Sequence, residues 1–152
     1  MLTINEYRKV ESLEEAYELN QKKNNKIIAG GVWMKIGDRR IATAIDLSGL
    51  GLDQITETDT EFVIGAMTTL REIEKHAGLA AYTDGAIRES VRHIVGVQFR
   101  NCATVGGSIF GRFGFSDVLT VFLAMDTQVE LYHAGMVPLK EFIDMPYDND
   151  IL

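Results

Sequence analysis

The sequence predicts an α/β fold, of the α+β kind, in two small lobes whose glycine-rich loops face one cleft, with no Rossmann crossover. Three observations predict it. Short apolar strand-like runs alternate with capped helical segments along the chain. The pattern changes near residue 52, from a strand–helix–strand–strand stretch to a hairpin followed by helices. Two glycine pairs, Gly30-Gly31 and Gly106-Gly107, interrupt apolar segments, and one lies on each side of that change. The expected lobes are residues 1–52 and 53–152.

In the first lobe, Ser12 caps a helix and Glu15 completes a capping box, the two reaching each other's backbone N–H groups. Leu13, Ala16, Tyr17 and Leu19 give that helix an apolar face as far as Lys23. Residues 26–29 read as a short buried strand running into Gly30-Gly31, with a short helix after Trp33. Residues 43–47 form another strand, and Ser48-Gly49-Leu50-Gly51 turns the chain.

In the second lobe, Thr58-Asp59-Thr60 joins the two arms of a hairpin, residues 52–57 and 61–66. Thr69 and Glu72 repeat the capping box, and Gly78 ends the helix they start. Asp84 caps a longer helix carrying Ile87, Val91, Ile94 and Val95. Gly96 stands where a left-handed C-terminal residue is expected. After the second glycine pair, Ser116 as cap and Asp117 in the first turn make residues 118–125 a buried helix. Residues 128–132 are a strand, and residues 137–143 a strand end and a helical turn.

Composition bounds the chemistry. A chain of 152 residues buries about 68–70% of its unfolded surface, enough for a real core. The formal net charge of −7 opposes general nucleic-acid binding, which needs a basic face. Cys102 is the only cysteine, so this chain forms no internal disulfide and holds no iron–sulfur cluster, which takes about four thiolates. The N-terminus lacks the pattern of a signal peptide, and no apolar run approaches the ~20 residues of a membrane span. The expectation is a soluble, cytoplasmic protein.

The glycine pairs carry the functional signal. Without a Cβ, backbone N–H groups can approach a ligand closely, and concave runs of such groups bind phosphate. Two such runs can grip the two phosphates of one dinucleotide; each can equally be a tight turn beside a strand. Neither a Gly-x-Gly-x-x-Gly fingerprint nor a Gly-Lys-Ser/Thr phosphate loop is present. Asp117 suits ribose hydroxyls or a helix start. Trp33 suits a ring system or core filling, and Arg100 a phosphate or a turn cap. His76, His93 and His133 are scattered, so no metal is assigned.

Arg100-Asn101, Thr104-Val105-Gly106-Gly107-Ser108-Ile109, Ser116-Asp117 and residues 123–131, taken in order, resemble the flavin subunit of molybdenum hydroxylases, the xanthine and carbon monoxide dehydrogenase group. Ile28-Ala29-Gly30-Gly31 resembles that family's first flavin loop. The resemblance implies FAD in the cleft between the lobes. It implies that Ile28, Ala29, Gly30, Gly31, Val32, Trp33 and Met34, with Thr104, Val105, Gly106, Gly107 and Ser108, hold the pyrophosphate through backbone N–H groups. Asp117 binds the ribose end.

The implied role is a flavin-containing oxidoreductase component, with no catalytic residue of its own assigned. Electrons pass from 2Fe-2S clusters, fed by a molybdopterin centre, to NAD or another acceptor. The implied partners are an iron–sulfur subunit and a molybdopterin subunit. Departures are Val32, Trp33, Ser108, Arg112 and Phe113 at positions where the family carries other residues, and the absence of the usual third, C-terminal lobe. The missing lobe, Val32 and Arg112 support an alternative: a truncated remnant or scaffold that no longer holds FAD.

Overall fold

The computed structural model describes residues 1–152. The chain opens with β1 (Thr3–Lys9), α1 (Leu13–Asn20), β2 (Lys26–Ile28) and β3 (Arg40–Asp46). The strands form a parallel sheet in the order β1-β3-β2, with Ile4 opposite Ile41 and Ile28 opposite Asp46. Ser12 caps α1 by accepting the Glu15 N–H at 3.1 Å. The Glu15 carboxylate takes the N–H of Glu11 at 2.9 Å, so the reciprocal half of the box closes one residue early. The helix stops at Asn20, short of Lys23. There Asn24 turns left-handed at φ 69°, and the Asn25 side chain donates to the Leu19 carbonyl at 2.8 Å.

A small apolar core holds this sheet and helix together: Val10, Ala16, Ile45, Leu47 and, from the far end of the sequence, Ile151. The returning segment is tied down by Asn20, which donates to the Asn149 carbonyl at 2.7 Å, and by Tyr132 N–H to the Ile151 carbonyl at 2.8 Å. Buried Asp150 accepts from the backbone of His133 and Ala134, both at 2.9 Å. Residues near 150 therefore complete a core that residues 1–52 begin.

The rest of the chain runs β4 (Ile55–Glu57), β5 (Phe62–Ile64), α2 (Leu70–Lys75), α3 (Ala77–Tyr82), α4 (Ala86–Arg92), α5 (Val97–Arg100), α6 (Val105–Phe110), α7 (Asp117–Leu123), β6 (Gln128–Leu131), β7 (Gly135–Pro138) and α8 (Leu139–Phe142). The β4–β5 and β6–β7 pairs are antiparallel. A larger core gathers Leu70, Ile73, Ile87, Val91, Ile109, Val118, Phe122 and Phe142. Each such side chain contributes roughly 1.5–3 kcal/mol when fully buried.

The capping box at Thr69 and Glu72 forms in full, and Ser116 caps α7 by accepting the Leu119 N–H at 3.1 Å. Four local expectations are corrected. Gly78 does not end a helix. The break falls at His76, whose Nδ1 accepts the Leu79 N–H at 3.1 Å and so starts α3. Gly78 instead leaves room for Glu57, whose carboxyl carbon would lie 2.7 Å from a Cβ there.

Asp84 does not cap α4. Asp84 and Gly85 both turn left-handed, at φ 49° and 81°, and the Thr83 hydroxyl takes the Ile87 N–H at 3.2 Å. Gly96 is not the left-handed residue, since its φ is −146° and it opens α5. Val95 takes that role at φ 50°, a strained geometry for a β-branched side chain. Finally, the second glycine pair is not an open loop: Gly106 and Gly107 lie inside the first turn of α6.

Candidate functional site

The site begins where β2 leaves the sheet. Gly30 is packed so tightly that a Cβ would overlap the Cys102 carbonyl and lie 3.0 Å from Ala103 N. This contact presses the first glycine loop against the segment leading into the second. Gly31 then turns at φ 65° with open space around its Cα. A short 3-10 turn, Met34–Ile36, follows, held by Lys35 N–H to the Gly31 carbonyl at 3.0 Å. The N–H groups of Gly30, Gly31, Val32, Trp33 and Met34 donate to no acceptor in the protein. Consecutive unpaired donors in a glycine loop are what an anion needs.

The second segment is arranged differently. Val105 donates to the Thr68 carbonyl and Gly106 to that of Ala66, both at 2.9 Å. Gly107 donates to the Thr104 hydroxyl at 3.1 Å and Ser108 to the Thr104 carbonyl at 3.1 Å. The Ser108 hydroxyl also turns back to that carbonyl, at 2.8 Å. Only the N–H of Thr104 lacks an acceptor here. Gly106 is glycine for packing, because a Cβ would meet Ala66 at 2.7 Å. This segment therefore forms a wall behind the first loop, and most of its donors are already used.

Asp117 stands exposed in the first turn of α7, with no hydrogen-bond partner. Its chain neighbours join it to the first loop through aromatic rings: Trp33 lies 5.9 Å from Phe113 and 5.7 Å from Phe115, centroid to centroid. The structure thus brings together the first loop, the wall segment and the stretch leading to Asp117, three parts of the sequence far apart along the chain. Phe115 is a member the sequence reading missed. The available signal was an aromatic–glycine–aromatic triplet directly before Ser116-Asp117.

Two arginines near the site point elsewhere. Arg100 is 5% exposed and donates to Glu74 at 2.8 Å and to the Ile94 carbonyl at 3.1 Å. Burial pushes the Glu74 carboxyl up, but hydrogen bonds from Arg71 and Arg100 outweigh this and hold it below its ordinary value. Arg112, at φ 48°, turns its guanidinium onto the rings of Phe142, 4.0 Å to the centroid, and Tyr147, 4.5 Å, and donates to the Met145 carbonyl. Neither is placed to meet a ligand at the first loop.

The family described as the FAD binding domain in molybdopterin dehydrogenase matches residues 3–152. YgfM of Escherichia coli strain K12, itself uncharacterised, is 27% identical over 154 residues, which cover 96% of this chain and 56% of YgfM. Among solved structures, the carbon monoxide dehydrogenase of Hydrogenophaga pseudoflava in a form lacking the Mo-pyranopterin moiety superposes with a TM-score of 0.86 at 25% identity, covering 97% of this chain and 56% of that one. Quinoline 2-oxidoreductase from Pseudomonas putida 86 gives 0.85 at 19% identity over 97% and 56% of the two chains, a likeness of fold. The chain spans little more than half the length of these relatives.

Proposed function

The chain belongs to the FAD-binding domains of molybdopterin dehydrogenases, and from that premise we propose that it holds FAD as the flavin part of a molybdenum hydroxylase. The residues present fit the group. The unpaired N–H groups of residues 30–34 suit a diphosphate, and the unpartnered Asp117 carboxylate suits ribose hydroxyls. The single observation that carries the reading is that row of unpaired donors in the first glycine loop.

In this reading the binding residues are 28–34, 104–108 and Asp117, between lobes of residues 1–52 and 53–152. Residues 30–34 supply most of the hydrogen bonds, Thr104 adds one, and residues 105–108 shape the wall. Bound there, FAD supplies a redox centre between the iron–sulfur clusters of one partner and an acceptor such as NAD. The molybdopterin centre, on a further partner, selects the substrate. The xanthine dehydrogenase-like assignment and the cytoplasmic setting belong to the same proposal.

One observation favours a second reading, the scaffold that no longer holds FAD: the donors of residues 105–108 are all paired within the protein. Titration of the purified chain with FAD, followed by flavin fluorescence, separates the two. Saturable quenching supports the first. In that case Asp117→Ala weakens binding at least tenfold, since hydrogen bonds to a charged group are worth roughly 1.5–3 kcal/mol. Cys102→Ser leaves it unchanged. Absence of binding in excess FAD by a folded chain overturns the FAD reading and favours the scaffold.

A further inference from the structure

The rings of Trp33, Phe113 and Phe115 form a cluster that the core does not explain. They are 53%, 42% and 66% exposed. Phe113 and Phe115 stack at 5.2 Å with their planes 14° apart, and Trp33 tilts against both. Leaving so much aromatic surface in water forfeits burial that each ring could otherwise gain.

The cluster is also held in place. Gly111 lets the Phe113 ring fold back, since a Cβ there would lie 2.7 Å from Phe113 Cε2. Arg112 anchors the segment through the Phe142 and Tyr147 rings and the Met145 carbonyl, and the Tyr147 hydroxyl donates to the Gly111 carbonyl at 2.8 Å. A fixed, exposed aromatic surface loses little conformational freedom when a ring settles on it.

Trp33 belongs both to this cluster and to the loop of unpaired N–H groups. We propose that Trp33, Phe113 and Phe115 form a stacking platform for a planar heteroaromatic ring of the nucleotide whose phosphates the first loop binds. This rests on the FAD reading above. The ring is either the adenine or the isoalloxazine, which share the chemistry of a flat π-face.

The test uses the full chain and its only tryptophan as reporter. Trp33 emission is followed while FAD, ADP, FMN and inorganic pyrophosphate are titrated separately. FAD and one of ADP or FMN are expected to quench it saturably, and the effective one identifies the ring. Phe115→Leu keeps apolar bulk on an exposed side chain while removing the ring. It is expected to weaken binding of FAD and of that ligand about 5- to 100-fold, the range of single stacking contacts, and to leave pyrophosphate affinity unchanged. Unaltered FAD affinity in Phe115→Leu overturns the platform and leaves the FAD reading standing. An equal loss for pyrophosphate also overturns it, because the residue then acts only through loop position. Should the variant fail to fold by circular dichroism, the parent's emission decides: FAD binding without any change at Trp33 refutes the platform. Failure of the parent to bind any of the four overturns both readings.

Discussion

Gly30 and Gly31 are adjacent, yet each is glycine for a different reason. At Gly30 the obstacle is the neighbouring backbone, because a Cβ would overlap the Cys102 carbonyl. At Gly31 there is space, but φ is 65°. Gly30→Ala is therefore expected to cost roughly 1–3 kcal/mol or more, as overpacking against backbone does. Gly31→Ala is expected to cost only about 1–2 kcal/mol, the penalty of a left-handed L-residue. Urea denaturation of both variants checks the order, and a more damaging Gly31→Ala would contradict the packing of the two segments.

Arg100 supplies a second residue-scale expectation. Its guanidinium is buried on Glu74, which keeps Arg71 as a second partner, so Arg100→Ala should destabilise by roughly 1.5–3 kcal/mol, the worth of a hydrogen bond to a charged group. FAD affinity of the folded fraction should hardly change. A selective loss of FAD affinity at unaltered stability would instead make Arg100 a phosphate ligand.

At the scale of elements, α6 shows how a motif with the composition of a loop takes another form in the fold. Thr104-Val105-Gly106-Gly107 has the composition of an open loop. It is helical because the Thr104 hydroxyl caps it and the β4–β5 end of the chain supplies carbonyls at Ala66 and Thr68 for its first donors. Those partners are remote in sequence, so no local pattern announces them. Thr104→Val keeps the shape and removes the cap, at an expected cost of about 1 kcal/mol. Thermal unfolding measures it. A variant as stable as the parent would show that packing, and not the cap, sets the start of α6.

For the whole molecule, ligand and pH act on both cores. If FAD binds the native state alone, a concentration 100 times Kd raises stability by about 2.7 kcal/mol, or roughly 5–10 °C in Tm for a chain of this size. Scanning fluorimetry with and without FAD reads this directly. Acid should act in the opposite sense. The Glu15 carboxyl is held low by the Glu11 N–H and by Arg8. At Asp46 burial pushes upward, but hydrogen bonds from Tyr7 and Ser48 prevail and lower it. Glu74 is lowered in the same balance.

These groups take up protons more readily when unfolded. The stability they contribute is therefore present above their ordinary values of 4.5 for glutamate and 3.8 for aspartate, and is lost as pH falls below them through the folded-state values. Denaturation midpoints measured from pH 6 down to about pH 3 should fall steadily at the acid end. A flat profile there would count against the pairing of these carboxyls.

What depends on neighbours a few residues apart is legible along the chain. The caps at Ser12, Thr69 and Ser116, the β4–β5 hairpin and a helix after Ser116 all follow from short-range hydrogen bonding and periodicity. The fold alone settles which N–H groups lack a protein partner, that Arg100 and Arg112 turn inward, that Phe115 joins Trp33, and that Ile151 completes the first core. Each of these depends on a partner supplied by a distant part of the chain. Whether a backbone donor is spent or available is settled by which carbonyl the fold brings beside it.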